Sequence, residues 1–194
     1  MNTRIQLITL LAAASVSTAV YAQAMQIIGG VQTARDCYMS ATLAAQTHTA
    51  SKADVDVCSF ALNNISLTAR DRVATLVNRG IIYVALEQYD KAIKDYNRAY
   101  KINPNIAELH VSRGNLLFMS GHFNRAVKEY TRALKLGLSR QYIVYYNRGL
   151  TYEKLGETAR AARDYRRALQ LMPGWDLARD KLDRLLKGPR KTSG

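Results

Sequence analysis

Arg79, Arg113 and Arg148 each stand sixteen residues ahead of an acid, Asp95, Glu129 and Asp164 in turn. Regularly spaced guanidinium groups suit two kinds of chemistry, gripping an anionic ligand or pairing with carboxylates of the same chain. The matched acids favour the second, because a chain folded back midway through each interval brings every arginine opposite its partner. Cys37 and Cys58 offer a structural disulfide or a redox couple, and the 20 residues between them are not the Cys-X-X-Cys spacing of the latter. His48, His110 and His122 are scattered, with no His, Cys or carboxylate at metal-ligand spacing. The chain has no glycine-rich phosphate loop and no serine elbow, and no nucleophile stands beside a base. These residues predict no enzyme, no cofactor and no metal.

The compartment decides how the cysteines read. Arg4, an apolar run from Ile5 to Val20 and the small-residue end Val20-Tyr21-Ala22 give residues 1–22 the pattern of a cleaved signal peptide. The run is shorter than a membrane-spanning helix and contains Gln6, Thr9, Ser15, Ser17 and Thr18. Ala24 is a second cleavage point, and no cysteine follows the cut to carry a lipid. The expectation is a periplasmic or secreted protein, and in an oxidising compartment Cys37 and Cys58 are expected to pair.

The elements that position these groups follow from a repeat. Gly80, Gly114 and Gly149 recur 34 and then 35 residues apart, each followed twelve residues on by Ala92, Ala126 and Ala161. Sixteen residues after the glycines come Tyr96, Tyr130 and Tyr165, and nineteen after come Ala99, Ala133 and Ala168. Small residues where two backbones approach, with an aromatic to fill the gap beside them, suit a pair of packed helices. Pro104 and Pro173 end one unit and start the next; the second unit has Leu138 there, and Gly137 beside it holds the extra residue.

This pattern resembles the tetratricopeptide repeat, a helix-turn-helix unit that stacks into a solenoid. The resemblance implies an all-α, right-handed helical-hairpin solenoid with units at 73–106, 107–141 and 142–175 and turns near Gln88, Gly121 and Gly156. A cap helix is expected over 176–187, where Leu177, Leu182, Leu185 and Leu186 recur on a helical period, and a disordered tail over 188–194. Upstream, Cys58, Ala61 and Leu62 stand where Tyr, Ala and Leu end the other second helices, so 32–72 reads as a degenerate hairpin after a linker at 23–31. That hairpin puts Cys37 and Cys58 on facing helices.

In such repeats the first helices line a concave surface, and the family's ligand positions can be carried over. They fall on Asn78 and Ile81 in the first unit, on Ser112, Asn115, Phe118 and Met119 in the second, and on Tyr146 and Asn147 in the third. The resemblance thus implies an apolar floor with a few amides, in which the asparagines hydrogen-bond an extended peptide and Phe118, Met119 and Tyr146 form pockets. The clamp by which chaperone-tail binders of the family hold a terminal carboxylate is absent, since its places include Val77, Ile81, Ser112, Ile143 and Asn147. The leading expectation is a non-enzymatic scaffold or adaptor binding a peptide or helix of an envelope protein. The other is an electrostatic binder of an anionic envelope polymer or membrane surface through the basic C-terminal half, since the net charge of +13 accumulates toward that end. Nucleic acid is not expected after export.

Overall fold

The computed structural model describes residues 32–64 and 66–187; the expected signal peptide, linker and tail lie outside them. Among the described residues the regular structure is entirely helical. Helices α1 (Gln32–Thr47) and α2 (Lys52–Asn64) form the first hairpin, α3 (Ala69–Ala85) and α4 (Tyr89–Ile102) the second, and α5 (Ala107–Met119) and α6 (Phe123–Leu136) the third. The fourth is α7 (Gln141–Lys154) with α8 (Thr158–Leu171), and α9 (Asp176–Lys187) closes the stack.

Helix ends are set by local chemistry. The Ser51 backbone N–H and hydroxyl both donate to Asp54 Oδ2, at 2.8 and 2.7 Å, starting α2 with a capping box. Burial pushes the Asp54 carboxyl up, and these Ser51 bonds more than offset it, leaving it below the usual range. Thr68 Oγ1 accepts from the Asp71 N–H at 3.1 Å, so α3 begins at Ala69, four residues before the repeat boundary the spacing predicts. The hairpin turns share one geometry: the His122 N–H reaches Leu117 O at 2.8 Å and the Glu157 N–H reaches Tyr152 O at 2.9 Å, across left-handed Gly121 and Gly156. In the second hairpin the Gln88 N–H closes the same ring on Tyr83 O at 2.8 Å, but Glu87 holds the left-handed place at φ 57°. Gly137, at φ 85°, ends α6; the connection 137–140 is no longer than 103–106, so the additional residue of the 35-residue step falls not at Gly137 as expected but in α7, which has 14 residues against 13 in α5.

Within each repeat the core is a glycine facing a tyrosine. A Cβ on Gly114 would lie 2.6 Å from the Tyr130 ring and one on Gly149 2.7 Å from the Tyr165 ring; at Gly80 the Tyr96 ring is closer still. No side chain fits at that distance. Tyr96, Tyr130 and Tyr165 are buried, flanked by buried Ala92, Ala99, Ala126, Ala133, Ala161 and Ala168. The first hairpin has no such tyrosine. Its α1 buries Ala34, Cys37, Ala41, Ala44 and Ala45 on one stripe, packed on α3, and the Cys37–Cys58 disulfide joins α1 to α2 across a Cα–Cα distance of 4.7 Å.

Candidate peptide groove

The arginines lock the hairpins in register. Arg79 Nε and Nη2 donate to Asp95 at 2.7 and 2.8 Å, and Arg148 meets Asp164 in the same two-pronged way at 2.7 and 2.9 Å. Arg113 Nε donates to Glu129 at 3.0 Å. A further nitrogen of each reaches back one hairpin: Arg79 Nη1 to Ser59 Oγ at 2.8 Å, Arg113 Nη1 to Asn97 Oδ1 at 3.2 Å, Arg148 Nη1 to Thr131 Oγ1 at 2.9 Å. Burial lowers the Arg79 and Arg148 pKa values, and the hydrogen-bonded aspartates more than restore them. These arginines are committed inside the fold, so they form no ladder for a ligand. In the third hairpin Glu129 also meets His110 Nδ1 at 2.7 Å, while His110 Nε2 donates to the Pro104 carbonyl at 2.8 Å.

The expected groove floor is not an open surface. Asn78, Ile81, Ser112, Asn115, Tyr146 and Asn147 are all buried, at 6 % exposure or less. Neighbouring first helices and the repeat tyrosines close over them: Tyr130 OH donates to Asn115 Oδ1 at 2.7 Å, and Asn147 Nδ2 donates to the same oxygen at 3.2 Å from the next hairpin. Ser112 Oγ is spent on Glu108 O at 3.0 Å in its own helix. Tyr146, expected as an exposed anchor, packs instead against Trp175 and Tyr165 with ring centroids 4.7 and 5.5 Å apart. Burial, with Glu153 nearby, pushes its hydroxyl up to about 12. Trp175 also meets Tyr142, so the connection into α9 occupies the third unit's part of the concave face.

What remains open is the N-terminal half. Met119 is 49 % exposed, and Phe118 is half-buried against Phe123. A cavity of about 150 Å³ connects α1, α3 and α5, lined by Ala44, Ala45, His48, Ile81, Val84 and Met119. Along α1, Met39 and Leu43 are spaced i, i+4 and exposed at 59 and 57 %. Neither is among the ligand positions expected from the three full repeats, because α1 lacks the repeat glycine that fixes the alignment; shifting those positions back one unit reaches both. Asn78 Oδ1, Asn115 Nδ2 and Asn147 Oδ1 are buried and make no hydrogen bond among the described residues. At the loop edge a larger trough, about 710 Å³, runs past Arg70, Asn103, Asn105 and Glu108. The Glu108 carboxyl makes no ion pair among the described residues, and burial pushes it above the ordinary glutamate range.

Comparison with known proteins agrees with this geometry. A TPR repeat family model matches residues 80–121, and a tetratricopeptide repeat model matches 142–174. The chain contains tetratricopeptide repeats. Among solved structures it is similar to the Arabidopsis OM64 TPR domain, at 25 % identity and a TM-score of 0.58 over 63 % of this chain and 100 % of that one. It is also similar to the first TPR of Spaghetti (RPAP3) bound to an HSP90 peptide, at 24 % identity and a TM-score of 0.58 over 64 and 97 %. YrrB, described as a TPR protein with an unusual peptide-binding site, shares 20 % identity and a TM-score of 0.58 over 78 and 75 %. No curated protein matches this chain in sequence. Among the described residues no group of three or more His, Cys, Asp or Glu is placed to hold a metal, and no helix is long and apolar enough to cross a membrane.

Proposed function

We propose that this protein is a non-enzymatic interaction module that holds a peptide or helix of a periplasmic or secreted partner on the N-terminal half of its concave face. The observation that carries the reading is the apolar cavity lined by Ala44, Ala45, Ile81 and Val84 with exposed Met119 at its rim, on a solenoid end where α1 also exposes Met39 and Leu43. An apolar anchor of the partner would enter that cavity. Asn78, Asn115 and Asn147 each keep a buried amide atom unpaired among the described residues, and a parting of the first helices would offer two carbonyl acceptors and one amide donor to a bound backbone. A buried amide without a partner costs about 1–3 kcal/mol, part of which such binding would recover.

Peptide binding by the RPAP3 domain and YrrB supports the class of function. The envelope setting rests on the signal pattern of residues 1–22, and the Cys37–Cys58 bond suits an oxidising compartment. The test is in-cell photocrosslinking from a probe at Met119 and from one on the opposite side at Lys128. Adducts from Met119 that vanish in Leu43→Asp are expected. Adducts from Lys128 alone, unaffected by Leu43→Asp, would overturn the reading.

A further inference from the structure

The second helices carry a lattice of positive charge that neither the repeat core nor the groove uses. On α4 the cations are Lys91, Lys94, Arg98 and Lys101. Thirty-four residues on, α6 repeats them as Arg125, Lys128, Arg132 and Lys135. Thirty-five further, α8 carries Arg160, Arg163 and Arg167, with Gln170 in the fourth place. All eleven are exposed. The spacing i, i+3, i+7, i+10 sets each row on one stripe about 15 Å long. Each stripe lies roughly opposite the buried Ala-Tyr-Ala face of its helix.

The inward acids explain why the stripes keep their charge. Asp95, Glu129 and Asp164 turn toward Arg79, Arg113 and Arg148 on the first helices. Of the lattice, Arg98 makes a long contact to Asp95 at 3.5 Å and Arg160 pairs with Glu157 at 2.7 Å. The other nine have no carboxylate within ion-pair distance among the described residues. These eleven cations therefore run through all three repeats instead of gathering only in the C-terminal half.

We propose that this convex lattice is a second binding surface, for a linear phosphate polymer. Cations at matching places in three successive units present an approaching polyanion with the same contacts at each step, and such binding draws on counterion release, which needs no base or side-chain recognition. The shape argues against a bilayer: the second helices pack on first helices and not on one another, so the rows stand apart on an outward curve that a flexible chain can follow and a flat surface cannot. Exposed apolar side chains occur on α4 (Ile93, Tyr100, Ile102) and on α8 (Leu171) but not on α6, so they form no continuous face to insert into lipid. Nucleic acid is disfavoured because four of the tyrosine rings that would stack bases already carry a guanidinium over one face. Arg79 lies over Tyr83 at 5.8 Å, Arg113 over Tyr100 at 4.9 Å, and Arg148 over Tyr145 and Tyr152 at 5.5 and 5.9 Å.

The experiment measures binding of the full chain to labelled long-chain inorganic polyphosphate by anisotropy across a salt series. The quadruple variant Lys94→Gln, Lys128→Gln, Lys135→Gln, Arg163→Gln is compared with Leu43→Asp and with neutralisation of Lys187, Arg190 and Lys191. The quadruple variant should weaken binding about tenfold or more at low salt and flatten the slope of log K against log salt by about 0.7 per lost contact. Its thermal midpoint should be unchanged, and Leu43→Asp should bind polyphosphate like the wild type, which separates this surface from the groove. Unchanged affinity in the quadruple variant would overturn the proposal, as would loss confined to the tail variant. So would wild-type binding to phosphatidylglycerol vesicles or to oligo-dT that exceeds binding to polyphosphate.

Discussion

Replacing Gly114 by alanine sets two opposing effects against each other, and the structure says which wins. In an exposed helix interior, Gly→Ala stabilises by about 1 kcal/mol, because the backbone loses less entropy on folding. Here the new Cβ would stand 2.6 Å from Tyr130 Cε1 and 2.8 Å from Cδ1, where carbon contacts settle near 3.5–4.0 Å. The ring would have to retreat by about 1 Å, an overpacking cost of about 1–3 kcal/mol. Retreat would also stretch the bond from Tyr130 OH to Asn115 Oδ1, now 2.7 Å, at a further cost of about 1 kcal/mol. Net destabilisation of about 1–3 kcal/mol is expected, read as a fall in the urea midpoint with unchanged slope. The decisive measurement is the same substitution in a Tyr130→Ala background. With the ring gone, Gly114→Ala should change sign and stabilise the protein by up to about 1 kcal/mol. Equal destabilisation in both backgrounds would refute the assignment of Gly114 to the tyrosine contact, and stabilisation in the wild type would refute the clash itself.

Reducing the Cys37–Cys58 bond, which closes a 21-residue separation, should remove about 3 kcal/mol from the first hairpin. Hydrogen exchange should then accelerate in α1 and α2 while α5 to α8 stay protected, because repeat units lean mainly on their neighbours; uniform loss of protection would contradict this. The Glu129 carboxyl is pushed up by burial, but the His110 hydrogen bond and the Arg113 charge more than offset that and leave it below its ordinary 4.5. A depressed folded value means the stabilisation is present above pH 4.5 and is lost as the pH falls through the folded value. Glu129→Gln should therefore lower stability by about 1 kcal/mol at neutral pH and converge on the wild type in acid, whereas parallel pH curves would show that the carboxylate charge contributes nothing.

The placement of pairs within a hairpin was legible in the chain. A glycine sixteen residues from a tyrosine, and an arginine sixteen residues from an acid, meet because the turn lies midway between them. The geometry is fixed by helix rise and turn length, both local. The same locality accounts for the helix starts: Ser51 with Asp54 is readable as a cap, and Thr68 with Asp71 has the same spacing, although the repeat period alone places the boundary at residue 73. The convex lattice is equally present at 34- and 35-residue spacing, but charge totalled by region conceals its period.

Exposure was not legible in the same way. The family's ligand places identify which face of a first helix looks along the concave side, and Asn78, Asn115 and Asn147 do lie on the first helices as that alignment requires. Whether such a side chain meets a partner depends on how closely the next hairpin approaches and on the path the chain takes out of the last repeat. Tyr130 and Asn147 converge on Asn115 Oδ1, and Trp175 brings the connection into α9 across Tyr146, so the third unit's share of the groove is filled from within the chain. The sequence alone determined the helices and the contacts inside each hairpin, because these depend on separations of about twenty residues or fewer. Tertiary structure alone decided which concave residues stay open, because burial is a property of neighbouring hairpins together, set by distances between elements that no spacing within one repeat records.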